Sequence, residues 1–93
     1  MLVGVCEIEL LIPASNSLKE KRFVLDSLKK RIRHRFNVSI SEVGDTEKWQ
    51  RAFFGVSIVA NENKFIDKVI AQVINFIELD GRVEIIRYST TIY

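Results

Sequence analysis

The segment from Ser17 to Arg35, SLKEKRFVLDSLKKRIRHR, holds the residues best suited to chemistry in this chain, and that chemistry is the neutralisation of phosphate. It contains eight of the fourteen Lys and Arg residues and two acids, Glu20 and Asp26, for a local charge of +6. The whole chain carries +2, which leaves −4 for the remainder. Charge gathered in one segment creates a local field, whereas dispersed charge mainly supports solubility. Lys19, Lys21, Arg22, Lys29, Lys30 and Arg33 are the candidates for contact with an RNA backbone, and release of counterions from the phosphates would drive such binding. Backbone amides from Ser15 to Lys19 could hold one phosphate at a helix start. The competing interpretation is a solvated face whose cations pair with Glu20 or Asp26.

Other chemistries find few residues to use. His34 is the single histidine and follows a run of cations, which suits an exposed helix-end residue better than a base. One Cys and one His cannot build a structural zinc site. Cys6 alternates with strand residues and reads as a buried, inert thiol, and a lone cysteine forms no internal disulfide. Glu7 and Glu9 share a strand face, but no paired-carboxylate site or Ser-His-acid set is legible. We therefore expect no catalytic residue, no metal, no cofactor and no small-molecule ligand.

The elements that must position these residues follow from periodicity. Val3 to Ile12 alternates, with Gly4, Cys6, Ile8, Leu10 and Ile12 on one face and Val3, Val5, Glu7, Glu9 and Leu11 on the other, so it reads as a strand that Pro13 ends. Ser17 is a helix N-cap, with Glu20 three residues on to complete a capping box. Along that helix Leu18, Leu25, Leu28, Ile32 and Phe36 form an apolar stripe with Val24 at its edge, and Lys19, Arg22, Lys29, Lys30 and Arg33 lie largely on the opposite and flanking sides. Asn37 to Val43 and Trp49 to Ala60 alternate again and predict a hairpin around Gly44-Asp45-Thr46-Glu47. A second helix is expected over 64–79, with its stripe at Ile66, Val69, Ile70, Val73 and Ile77 and its stop at Asp80-Gly81. Arg82 to Tyr93 is a β-branched and aromatic final strand. Val83 and Ile85 argue for one inward face, Ile86 and Tyr88 for the other, and a bulge would reconcile them.

The order β-α-β-β-α-β predicts an α+β, ferredoxin-like sandwich, one domain over 1–93, with both helices on one face of a four-stranded antiparallel sheet. A chain of this length can bury roughly 60–65% of its unfolded surface, enough for a core without metal or disulfide support. The opening residues lack a basic leader and are interrupted by Glu7 and Glu9, and no apolar run reaches the ~18 residues of a membrane span. A cytoplasmic location and no membrane partner are the expectations.

Three segments carry a resemblance: SLKEKR at 17–22, RFNVSISEV at 35–43 and WQRA at 49–52, the last followed by Gly55. At this spacing they resemble the YlxP-like family of small bacterial proteins of unknown function, over nearly the whole chain. The resemblance implies a ferredoxin-like fold and a bacterial cytoplasmic setting. Its members are often encoded beside translation-initiation and ribosome-maturation factors, which implies proximity to RNA or ribosomes. It supplies no catalytic residues. Phe23 departs from the polar residue expected there and lies away from the apolar stripe.

Two functional expectations result. The first is a non-enzymatic RNA- or ribosome-associated module that uses the basic helix. The alternative is a homodimeric protein-interaction module, with Phe23, Trp49, Phe53, Val3 and Val5 as candidate interface residues. RNA recognition on the open sheet face is disfavoured, because stacking wants two or three rings and only Phe53 faces outward among the aromatics of its strand. A small acyl-phosphate or phosphate-ester hydrolase is a third reading. Its phosphate loop would be Pro13-Ala14-Ser15-Asn16-Ser17, which lacks the glycines of such a cradle.

Overall fold

The computed structural model describes all 93 residues. Its elements are β1 (Leu2–Leu11), α1 (Leu18–Arg35), β2 (Ser39–Val43), β3 (Arg51–Ala60), α2 (Asn63–Glu78) and β4 (Glu84–Ile92). The strands form one antiparallel sheet in the order β2-β3-β1-β4, the ferredoxin-like arrangement expected from the element order. Both helices pack on one face. There Cys6, Ile8, Leu10, Ala52, Phe54, Val56 and Ile58 of the central strands meet Leu25, Leu28 and Ile32 of α1 and the stripe of α2 in one core.

α1 starts where its capping residues place it. The Ser17 hydroxyl accepts a hydrogen bond from the Glu20 amide at 3.1 Å. The Glu20 carboxylate returns to the Asn16 N–H at 2.6 Å, one residue before the cap. α2 has no side-chain cap bond at Glu62, and its sequence is rich in β-branched residues that favour helix weakly. Packing holds it instead: Ile66, Val69, Ile70, Val73, Ile74 and Ile77 are all buried.

β1 runs Leu2–Leu11, one residue earlier at each end than expected, and β4 ends at Ile92 rather than Tyr93; three strand starts differ by two residues. β2 begins at Ser39 rather than Asn37. β3 begins at Arg51 rather than Trp49, and the Gln50 side chain just before it donates to the carbonyls of Pro13 and Ser15, which ties that stretch to the β1–α1 loop. β4 begins at Glu84 rather than Arg82, because Arg82 is folded back onto Asp80. The expected bulge is present. Glu9 pairs with Arg87 but Leu10 pairs with Ile85, so Ile86 is the extra residue. That shift turns Ile85 toward the core and leaves Arg87 on the open face.

Two glycines are required. Gly44 ends β2 at φ +74°, a conformation that side chains disfavour. Gly4 lies under Ile66 of α2, where a Cβ would collide with the Ile66 Cγ2.

Candidate nucleic-acid interface

The exposed side of α1 keeps part of its expected charge and loses part of it. Lys19, Arg22 and Lys30 are exposed and make no ion pair. Lys29 is half-buried and pairs with Asp26 at 3.3 Å. Arg33 is exposed but donates to the Ile40 carbonyl at 2.7 Å, clasping α1 to the edge strand β2.

Lys21 does not belong to this surface. It is 0% exposed, and its Nζ donates to Glu42 Oε2 at 3.0 Å, to the Thr46 carbonyl at 2.9 Å and to the Arg51 carbonyl at 3.4 Å. Three acceptors satisfy all three ammonium protons, so the charge survives burial. The expectation that Lys21 contacts RNA is overturned. Its role is to bind α1 to both sides of the β2–β3 hairpin.

The densest cationic region lies toward the C-terminal end of α1. Lys30, Arg31, His34 and Arg35 surround Phe76 of α2. The Cζ atoms of Arg31 and Arg35 lie 5.0 and 5.5 Å from the Phe76 ring centroid. Phe36 meets Phe76 edge-on, with centroids 5.9 Å apart. Cation–π contact orients guanidinium groups while leaving their N–H donors available. Arg31 also pairs with Asp80 at 3.3 Å, but no carboxylate lines the depressions around Phe76. Arg31 and Arg35 were not among the sequence candidates. Their signal was the i, i+4 spacing, which puts both on one helical face. Their aromatic partner lies on another element and could not be read from α1.

Below this cluster Asp80, 8% exposed, anchors the α2–β4 connection. It accepts from the Arg82 backbone N–H and Nε at 3.0 Å each and from Arg82 Nη2 at 2.7 Å. Those side-chain bonds, opposed by burial and helped by the backbone N–H and the charges of Arg82 and Arg31, hold its carboxyl at about 2. The same pairing raises the Arg82 guanidinium. Cys6 is buried in the core, and burial pushes its thiol up.

The β1–α1 loop offers little to a phosphate. The Glu20 carboxylate occupies the Asn16 N–H, the Ser15 hydroxyl donates to the Ser17 carbonyl, and Arg22 is exposed without a hydrogen bond to the loop. On the opposite side of the sheet, Glu9 is 3% exposed. It lies between Arg51 Nη1 at 3.0 Å and Arg87 Nε at 2.7 Å. Glu9 offsets one of these two positive charges and the exposed Glu7 on the same face supplies a second carboxylate, so this face, which α1 does not share, carries no net excess of cations.

The candidate partner residues are dispersed. Phe23 projects from α1 and is 73% exposed, in agreement with its position off the apolar stripe. Trp49 is exposed beside the hairpin, while Val3, Val5 and Phe53 are half-buried on the open face. Val3 pairs with Val59 and Glu9 with Phe53, so Val3 and Phe53 lie about 20 Å apart along the strands. These five residues do not make one surface.

No helix is long and apolar enough to cross a membrane. The architecture is that of a ferredoxin-like α+β protein. It resembles two de novo designed proteins. One, Foldit4, has a TM-score of 0.58 at 13% identity, covering 98% of this chain and 97% of that one. The other, LFR1 1 with ferredoxin fold, has a TM-score of 0.50 at 14% identity, covering 100% and 84%. At such identity the likeness concerns fold alone. The chain belongs to the DUF503 family, described as a protein of unknown function, whose profile matches residues 3–90. It is 39% identical over 83 residues to the uncharacterized protein YlxP of Bacillus subtilis (strain 168), covering 89% of this chain and 90% of that protein.

Proposed function

We propose that this protein is a non-catalytic, cytoplasmic module that binds RNA, free or within a ribosomal particle, through the phosphate backbone along the exposed side of α1. The observation that carries the reading is the group of Lys30, Arg31, His34 and Arg35 around Phe76, with no carboxylate lining it. Lys19 and Arg22 extend the same helix toward its start. On the opposite sheet face Glu7 and Glu9 together offset Arg51 and Arg87, which leaves the excess of positive charge on the helical side. Flexible lysines and backbone-directed arginines position a protein on RNA without reading its bases, so weak sequence preference is the expected behaviour.

Fluorescence anisotropy with a single-stranded RNA, and co-sedimentation with ribosomal particles, test this reading. About four phosphate contacts give a slope near −3 for log affinity against log salt. The double variant Lys30→Glu, Arg35→Glu should abolish most of the binding while leaving the fold intact by circular dichroism. Undiminished affinity in that folded variant, or no binding at low salt by the native protein, would refute the proposal.

A further inference from the structure

The outer edge of β4 is an open hydrogen-bonding strand, and we propose that it pairs antiparallel with β4 of a second copy of this chain. The proposal is independent of RNA binding.

The direction of the free backbone groups follows from the ladder. Val3 and Tyr93 exchange N–H···O bonds in both directions, at 2.9 and 2.8 Å. Alternation along the uninterrupted register from Gly4–Ile92 to Glu9–Arg87 then turns Thr91, Ser89 and Arg87 toward β1. Tyr88, Thr90 and Ile92 point their N–H and C=O groups away from the sheet. β4 is the terminal strand, and nothing follows it in the sheet order.

Proteins usually protect such an edge with short length, proline, lysine or an inward-pointing charge. The other edge strand, β2, has five residues; β4 has nine. From Tyr88 to Tyr93 the sequence YSTTIY contains no proline and no charge, and Tyr88 and Tyr93 are exposed. Glu84, Arg87 and the bulge at Ile86 protect the first part of the edge, whereas from Tyr88 to Tyr93 it is β-prone and unprotected.

A two-fold centred on Thr90 satisfies it with itself. Thr90 then pairs with Thr90 of the partner subunit, and Tyr88 with Ile92 of the partner subunit, each pair exchanging the free N–H and C=O groups. Tyr88 against a β-branched side chain is a favourable cross-strand contact. On the open face Ser89 meets Thr91 of the partner subunit, and Arg87 meets Tyr93 of the partner subunit. Arg87 is the single charge in this stretch, so the register sets no like charges opposite each other. A dyad normal to the sheet keeps both helical layers on the same side of a continuous sheet. α1 packs near β2, at the far edge, so both basic helices stay accessible.

Sedimentation from micromolar to submillimolar concentration, combined with amide hydrogen exchange, tests the inference. A concentration-dependent dimer is expected, with Tyr88, Thr90 and Ile92 amides gaining protection as it forms. The Thr90 N–H makes no bond to β1, so Thr90→Pro removes the edge donor without breaking the internal ladder, and should weaken dimerisation by at least about tenfold. A monomer throughout the range, rapid exchange of those three amides in a dimer, or an unweakened dimer in folded Thr90→Pro would each overturn it.

Discussion

Lys21 Nζ lies 3.0 Å from Glu42 Oε2, and the two residues come from different segments of the family resemblance, SLKEKR and RFNVSISEV. The third segment, WQRA, supplies the Arg51 carbonyl to the same ammonium and the Gln50 amide to the β1–α1 loop. The motif that marks the family is therefore largely a clasp joining α1 to the β2–β3 hairpin. Removing one member of a buried pair leaves the other uncompensated, which costs about 3–5 kcal/mol. Lys21→Met should approach that loss because Glu42 keeps little water contact. The double change Lys21→Met, Glu42→Leu should recover much of it. Urea denaturation of the two singles and the double closes the cycle, and additive losses would show that the pair is not coupled.

The clasp was legible in the sequence, though not in its charges. Leu18, Lys21, Leu25, Leu28 and Ile32 follow a 3-4-3-4 spacing, so Lys21 occupies a core position of the helix. Reading residue type before position places it among the RNA contacts instead. Glu9 misled in the same way: its face was right, but its burial depends on Arg51 and Arg87 from two other strands. The fold itself was accessible because alternation, caps and turns agree along the whole chain. The Phe76 cluster was not, because it assembles α1 and α2 through contacts that no local period encodes.

Asp80 gives the fold a defined acid sensitivity. Its carboxyl sits at about 2 in the folded protein, against 3.8 for an ordinary aspartate, chiefly through hydrogen bonds from Arg82. A lowered folded value means that the unfolded chain takes up the proton first. The contribution is therefore full above 3.8 and is lost as pH falls from there toward 2. Its size is at most about 2 kcal/mol, since Arg82 and Arg31 are partly exposed and screened. Asp80→Asn should be less stable at neutral pH and show a flatter loss across that acid window. Thermal melts between pH 7 and 2 compare the two profiles, and parallel curves would remove Asp80 from the account.

Gly4 sets the closest approach between β1 and α2. A methyl group there collides with Ile66 Cγ2 and would lie 3.1 Å from Ile58 Cγ2, deep in the core where neighbours have little room to yield. Gly4→Ala should destabilise the protein by about 1–3 kcal/mol through overpacking. Truncation to Ile66→Ala should cost less in that background than in the native protein, because it removes the obstructing group. Denaturant titration of the four proteins measures the coupling; equal costs in both backgrounds would place the strain elsewhere.

The buried Glu9 offers a test of which face meets RNA. Glu9→Gln keeps the shape but removes the charge shared by Arg51 and Arg87, so the open sheet face gains one net positive charge. Losing these charge-assisted bonds should cost about 1–3 kcal/mol of stability, visible by denaturation. If phosphates lie along α1, RNA affinity at fixed salt should change by less than about twofold, because the new charge is on the opposite side of the sheet and beyond the screening length. If they lie on the sheet instead, affinity should rise and the salt slope should steepen by about one unit. Charge reversal at Lys30 and Arg35 gives the reciprocal pattern, so the two sets of variants assign the surface without reference to a particular RNA sequence.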